Sequence, residues 1–558
     1  MTQIIQLTND VQLPPAIILH AGELTCMYEL GKLRYIRKEN TELLRTIYGA
    51  VRNQHWETLP YIIEEEQVEI GENAFLIQYT AIYRQGAPVY KARYRIEGKP
   101  DNSIVFRMEG IALAGFTKNR LGICIHHPIR ECSGQQATIT TPNGAVYTAQ
   151  FPSLVNPQQP FTDIRHMQYN AAGDIRVELM FEGDIFETED QRNWSDSSYK
   201  TYSTPLSVPF PVTVQPGDAC VQQISVRATG GISNDTLAVS ATREEKIPFP
   251  PLGYGASGRV PLTNDMVYLL QQIPFQHYRV AIDLCEAGWH QALQAALHQA
   301  GLLRTRLELV IFFPEQFDTA LNDLLPLLQQ QQQKLHSILV LQQGLAVTPV
   351  HLLAAVYPAM KKVINTVPVG YGTDLFFADL NRNRPPDIPF DFISFHLHPQ
   401  VHANDSRTIL ENLENLPDLI DTATGFSNGK PVFVSPVTFS GRQGKAVPDE
   451  KQHSGLLAWW TLLSIQQLAG AGSLTYYQLL GEDGLLPAGD YTAGTASAIP
   501  ASPLYHALVS IHQFEPMWII RKYAGNRLLM DSLLLENAAG ERLAFTTPHS
   551  LQSFNGLP

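Results

Sequence analysis

From residue 16 to about 230 apolar and polar positions alternate along the chain. The stretches ELTCMYELGKLRYIR (23–37), NAFLIQYTAIYR (73–84), VYKARYRIEG (89–98), SIVFRMEGIAL (103–113) and IRVELMFEGDIF (175–186) are rich in β-branched and aromatic residues. Gly, Asn, Asp and Pro punctuate them. A period of two places alternate side chains on opposite faces of a strand, so this half predicts a large antiparallel β-sandwich. The segment REEKIPFPPLGYGASGRVP (243–261) is dense in Pro and Gly and reads as a linker. Beyond it the period changes. Short apolar runs, HYRVAIDL (277–284), RLELVIFF (306–313) and LHSILVLQQ (335–343), each precede a helical pattern, for instance GWHQALQAALHQAGLL (288–303) and TPVHLLAAVYPAMKKV (348–363). VPVGYGT (367–373), FDFISFHLHP (390–399), KPVFVSPVTF (430–439) and SLTYYQLLG (473–481) continue the series. Strands alternating with helices pair in parallel through right-handed crossovers.

Seven strands of this second half are legible and an eighth is left open, which fits a (β/α)8-like barrel better than an open doubly wound sheet. No glycine-rich phosphate loop follows the first strand. The tail MWIIRKYAGNRLLMDSLLLENAAGERLAFTTP (517–548) returns to strand and turn, with AGN and NAAGE as hairpin turns. The predicted fold class is therefore multidomain β plus α/β. It has an antiparallel sandwich at 1–245, a linker at 246–262, a barrel at 263–515 and a short β appendage at 516–558. The five glutamines Gln329–Gln333 read as the solvated end of a helix.

With 558 residues, 44% of them hydrophobic and 17% charged, the chain is globular and long enough for two or three domains. A net charge of −13 argues against nucleic acid or an anionic membrane as partner, because both demand a basic face. The opening MTQIIQLTNDVQLPP has neither a basic n-region nor an apolar h-region, so no signal peptide is expected. No apolar run approaches the roughly 18–20 residues of a membrane span. The cysteines Cys26, Cys124, Cys132, Cys220 and Cys285 form no CxxC pair, which points to reduced thiols and a cytoplasmic setting.

Barrel enzymes work at the C-terminal ends of their strands. Asp283 lies there, as do FADLNRNRPP (377–386), FHLHPQVH (395–402), SPVTFSGR (435–442) and TYYQ (475–478). Alternation puts Ser394, His396 and His398 on one face, directed at the barrel mouth. With His402 they have the look of a zinc site, but no further ligands can be placed, so no metal and no cofactor is expected. The two other readings are histidines that bind a polar substrate and histidines that hold the structure. Asp379, Asn381, Arg382 and Arg384 either close a loop with a surface ion pair or clamp substrate hydroxyls or a carboxylate. The sandwich carries three polar clusters of its own. VRNQHWETLP (51–60) supplies Arg52, Asn53, His55 and Trp56, NRLGICIHHPIREC (119–132) supplies His126, His127, Arg130 and Glu131, and the third is ETEDQRNW (187–194). Burying several charges without function is costly, which favours a shared site, although the sequence does not say that the three meet. No G-x-S-x-G elbow is present, so water activated by a carboxylate or histidine is the expected route to hydrolysis.

The strings FEGDIFETEDQRNWSDSSYKTY (181–202) and RLGICIHHPIREC (120–132) resemble the D-apionate lactonases, bacterial enzymes of D-apiose catabolism. The likeness continues through ELLRTIYGAVRNQHWETLP, LNRNRPP, FISFHLHPQVHAND and LAWWTLLSIQQLAGAGSLTYY, and so covers residues 17 to about 480. The first half also resembles the sugar-binding supersandwich of mutarotase-like proteins, and the barrel resembles that of retaining glycosidases. The resemblance implies a small-molecule partner, a sugar lactone, and hydrolysis of D-apionolactone to D-apionate. Lactone opening needs an activated water, a group that polarises the carbonyl and a proton donor for the departing hydroxyl. In that reading Glu189 or Asp190 serves as base, Arg192 meets the oxyanion, and Asn193 and Trp194 hold the ring. His396 and Asp379 act in the barrel, and His126, Arg130, His398, Asn381, Tyr477 and Gln478 line the substrate. The competing reading makes Asp190 the ion-pair partner of Arg192 or Arg130. The alternatives to a lactonase are a glycoside hydrolase on furanosides or plant oligosaccharides, and a non-catalytic carbohydrate binder. A glycosidase-like barrel calls for glutamates at the ends of strands four and seven, where counting from HYRVAIDL gives Asp379 and Gln478. The pocket is expected at the C-terminal mouth of the barrel, with the sandwich as one wall.

Overall fold

The computed structural model describes residues 2–7, 13–171, 174–231, 242–256, 262–440, 449–481, 483–486, 502–525 and 527–546. They form two compact units. One comprises Gln12–Arg192 and Ser197–Val239; the other comprises Met1–Val11, Asn193–Asp196 and Ser240–Leu551.

The first unit is the sandwich that alternation predicts: two sheets of nine strands each, antiparallel throughout. Inward side chains such as Leu44, Ile47, Ile77, Tyr94, Phe106, Ile123, Leu179 and Ile224 make one continuous core. The strand Thr41–Asn53 is buried along nearly its whole length on both faces. On the face of that sheet turned away from the core, hydrogen-bond register lines up one transverse row, Arg34, Thr46, His126, Lys200 and Glu189.

The second unit holds a closed barrel of eight parallel strands: Leu252–Gly255, His277–Asp283, Arg306–Phe313, Leu335–Gln342, Val369–Phe376, Phe392–Leu397, Val432–Thr438 and Ser473–Tyr477. The helices Trp289–Leu302, Asp318–Gln331, Val350–Val363 and Gly455–Gln467 follow the second, third, fourth and seventh strands. The strand that the sequence left open is the first, and it lies inside the stretch read as a linker. Its pattern is hidden by Gly253 and Gly255. A Cβ on either would overlap the His277 ring or the Tyr477 ring, so close approach demands glycine where a strand former would advertise itself. This shifts the strand count by one. Asp379 follows the fifth strand and Gln478 the eighth, whereas strands four and seven end in Gln342 and Thr438.

The appendage is also larger than its tail. Pro516–Ala524, Ser532–Asn537 and Arg542–Thr546 pair in sequence. Thr242–Pro248 adds to one edge, and Thr2–Gln6 pairs in parallel with Arg542–Thr546 at the other. Thr2–Gln6, from the predicted sandwich, and Thr242–Pro248, which crosses the predicted boundary between sandwich and linker, therefore belong to this sheet. Such pairings join residues 270 or more positions apart and leave no local signature. The five cysteines form no disulfide. Among the described residues no helix is long and apolar enough to cross a membrane.

Candidate active site at the barrel mouth

The fifth strand sets the geometry. Gly372 pairs with Ser394 and Phe376 with His396, so four residues of this strand advance where the sixth advances two. A bulge of this kind re-aims side chains. Thr373 caps it by donating its hydroxyl to Ala346 O at 2.5 Å, and it accepts from the Leu375 amide at 2.9 Å. The result is that Asp374 meets Arg279, which reaches it from the second strand. Arg279 is almost fully buried, with its guanidinium 5.9 Å from the centre of the Tyr477 ring.

Beneath this pair lies Glu308, on the third strand. Its carboxylate is 3.1 Å from His277 Nε2 and 3.4 Å from Arg279 Nε, and it accepts from Thr475 Oγ1 at 2.7 Å and from Ser435 Oγ. Burial alone raises the Glu308 carboxyl. His277, Arg279 and Ser435 outweigh it and hold the group at about 2. Burial likewise works against the Arg279 charge, and the Asp374 and Glu308 carboxylates more than restore it. A carboxyl whose folded pKa lies below its ordinary 4.5 adds stability that is present above about pH 4.5 and is lost as pH falls towards 2. Glu308→Gln is therefore expected to lower stability at neutral pH and to flatten the acid limb. Urea melts of both proteins between pH 2.5 and 6 check this: the difference between them should shrink as pH falls.

At the end of the fifth and sixth strands aromatic and imidazole rings form a ladder. Phe376 stacks on His396 at 5.4 Å between centroids, and His396 lies parallel to His398 at 6.3 Å. His396 Nε2 is 2.8 Å from Thr438 Oγ1. Trp194 packs edge-on to Phe376 at 5.5 Å, and Arg382 lies over the Trp194 ring at 5.4 Å. Asp379, in the first turn of Phe377–Arg382, has its carboxyl raised by burial, with Arg382 opposing. Asn381 donates to Asn193 Oδ1 at 3.0 Å and accepts from Arg384 at 2.8 Å.

Trp194 and Asp196 flank Ser195, which adopts a left-handed φ of 69°. That conformation is uncommon for a residue with a side chain, and it turns both neighbours towards one partner. The partner is His402. The Trp194 ring packs edge-on at 6.3 Å, and Asp196 Oδ2 lies 2.5 Å from His402 Nδ1. Asp196 and Asp374 carry no signal in the sequence, and His402 stands out there only as the third histidine of FHLHPQVH, for which metal, substrate and structural readings are open. Among the described residues no three His, Cys, Asp or Glu side chains gather in a way that could hold a metal ion.

The sandwich residues sort differently. Asp190 and Arg192 are fully buried and paired, with Arg192 Nε 2.9 Å and Nη2 2.7 Å from the two carboxylate oxygens. Arg192 also donates to the Pro152 and Ser153 carbonyls at 2.7 and 3.0 Å, and the Asn156 amide donates to Asp190 at 2.9 Å. A guanidinium engaged in this way holds chain segments together, so the geometry favours the ion-pair reading of these two residues over base and oxyanion donor. Glu189 pairs with Lys200 at 2.9 Å, and His126 is 3.3 Å from the Tyr48 hydroxyl. Register joins Glu189 and His126 through Lys200. Arg130 is exposed, with Glu131 at 3.8 Å, and does not join that row. Arg52 pairs with Arg120 further along the sheet and donates to the Trp56 carbonyl. Arg120, within the second string, lies over the Trp56 ring of the first at 5.7 Å and near the Glu187 carboxylate of the third, so the strings meet at Arg120 while Arg130 stands apart.

Tyr477 and Gln478 lie at the end of the eighth strand and border a small, mostly apolar cavity together with Tyr254, Trp460 and Tyr476. Because the Tyr477 ring lies against Gly255, Gly255→Ala is expected to cost about 1–3 kcal/mol through overpacking. It should also displace Tyr477, which a lower melting temperature and a raised KM would register.

The family model "D-apionate lactonase, N-terminal domain" matches residues 4–231, and "D-apionate lactonase, TIM barrel domain" matches residues 255–515. The chain belongs to the D-apionate lactonase family. A curated family member, the D-apionate lactonase of Brucella anthropi, is 29% identical over 454 residues, covering 76% of this chain and 73% of that protein. Solved structures similar to the chain include an α-L-arabinofuranosidase from Thermotoga maritima. That structure is 12% identical with a TM-score of 0.39, over 54% of this chain and 83% of the other. A GalM/aldose epimerase homologue from C. elegans is 10% identical with a TM-score of 0.26, over 39% of this chain and all of the other. At these levels the structural likenesses bear on neither substrate nor mechanism. A retaining glycosidase needs two carboxyl groups across its scissile bond. The ends of strands four and seven, Gln342 and Thr438, provide neither.

Proposed function

We propose that this protein hydrolyses D-apionolactone to D-apionate, as a cytoplasmic enzyme of D-apiose catabolism. Membership of the lactonase family through both domains carries the reading. The site we assign is the barrel mouth. The Asp196 carboxylate holds the proton of His402 on Nδ1, which leaves the lone pair on Nε2, the arrangement a general base requires. Nε2 takes a proton from water as the water oxygen bonds to the lactone carbonyl carbon, and the carbonyl π electrons move onto oxygen. Collapse of that intermediate breaks the bond from the carbonyl carbon to the ring oxygen. The ring oxygen receives the proton from the imidazolium and departs as a hydroxyl, and the new acid ionises to a carboxylate.

Trp194 offers a flat apolar surface to the ring. His396, His398, Asn193, Asn381, Tyr477 and Gln478 supply hydrogen bonds to its hydroxyls. Asp379 steadies Arg382 over the indole. No cofactor enters the scheme.

Purified protein should accelerate acid release from D-apionolactone in a pH-indicator assay and act more slowly on a panel of other aldonolactones. No acceleration over spontaneous hydrolysis anywhere in the panel would overturn the reading.

A further inference from the structure

Arg279 has more hydrogen-bonding capacity than its surroundings use. Its side chain is 1% exposed and sits inside the barrel. Nη2 is taken by Asp374, and Nε faces Glu308 at 3.4 Å. Nη1 is buried and has no hydrogen-bond partner among the described residues. An orphaned charged donor of this kind is destabilising unless something else accepts from it. The guanidinium lies between the C-terminal ends of the fifth and eighth strands, where Asp374 and Tyr477 stand. It is also rigidly held. Glu308 is fixed by His277, Ser435 and Thr475, and Asp374 by the bulge. A charged donor fixed in advance, shielded from water and lacking one acceptor is what a developing oxyanion needs.

We infer that Arg279 is the catalytic residue that stabilises the oxyanion, its Nη1 donating to the lactone carbonyl oxygen. The inference rests on the lactonase reading above. As water adds to the carbonyl carbon, the electron pair displaced onto the carbonyl oxygen is met by the Nη1 hydrogen. When the intermediate collapses, that pair returns to form the carboxyl C=O as the ring oxygen leaves. Arg279 neither gains nor loses a proton. Glu308 and Asp374 are positioning residues, since they act through Arg279.

Arg279→Met and Arg279→Lys test this on D-apionolactone. Lysine keeps the charge between Asp374 and Glu308 but loses the planar fork. Both variants should lose about 10²–10³-fold in kcat with a small change in KM, the usual effect of removing one oxyanion donor. Low millimolar methylguanidinium should recover part of the kcat of Arg279→Met and none of that of His402→Ala. A kcat within threefold of wild type in folded Arg279→Lys would overturn the inference, as would unfolding of both variants, which would make Arg279 a holding residue. Because wild type is assayed alongside, the two failures separate. An inactive wild type refutes the lactonase reading, whereas an active wild type with active variants refutes only the role of Arg279.

Discussion

Replacing His402 by alanine should lower kcat/KM on D-apionolactone by about 10²–10⁴-fold, the range a positioned general base contributes. The melting temperature should move far less than in Arg192→Ala, because His402 lies in a loop and its side chain is partly exposed, whereas that of Arg192 is fully buried. Asp196→Asn should fall in the same direction. An amide can donate as well as accept, so it no longer dictates which imidazole nitrogen carries the proton. If Asp196→Asn loses activity while a Trp194→Phe variant mainly raises KM, the two neighbours of Ser195 divide into a chemical and a binding role. Should both variants change KM alone, the Asp196–His402 pair is a substrate contact and the base lies elsewhere.

Arg192→Ala is expected to produce the largest loss of stability. Removing one partner of a fully buried ion pair typically costs about 3–5 kcal/mol, because the remaining charge is left without compensation. Here Asp190 would lose the guanidinium and the Ser153 carbonyl its donor, while the Asn156 amide still serves Asp190 and the Tyr199 hydroxyl still serves the Pro152 carbonyl. At about 2–4 °C per kcal/mol for a domain of this size, the midpoint should drop by roughly 6–20 °C. Activity per folded molecule should fall by less than about tenfold, or 1.4 kcal/mol of transition-state stabilisation. A normal melting curve with a loss of several hundredfold in kcat would return Arg192 to the catalytic role that its sequence context suggests.

The two variants mark what local pattern can and cannot reveal. Period-two alternation exposed the sandwich because its strands bury one face in a shared core. The same alternation put His396 and His398 on one side of a strand, and their rings do stack in parallel. Where close approach overrides propensity the signal fails: the first barrel strand carries two glycines because His277 and Tyr477 occupy the space of their side chains. Asp374 escaped notice because a bulge breaks the alternation that would have aimed it. Asp196 and His402 are 206 positions apart, and only the fold brings them together. The density of ETEDQRNW was legible, yet its meaning was divided. Asp190 and Arg192 lock the turn, while Asn193, Trp194 and Asp196, just beyond it, meet residues of the barrel unit. Charge crowding alone does not separate a clamp from the residues that it presents.

The most direct test of the account is kcat/KM for D-apionolactone hydrolysis by wild type and His402→Ala side by side, with melting curves to show that both are folded. The account predicts strong acceleration over spontaneous hydrolysis by wild type and its near-complete loss in the folded variant. Equal activity of the two proteins, or none in either, would contradict it.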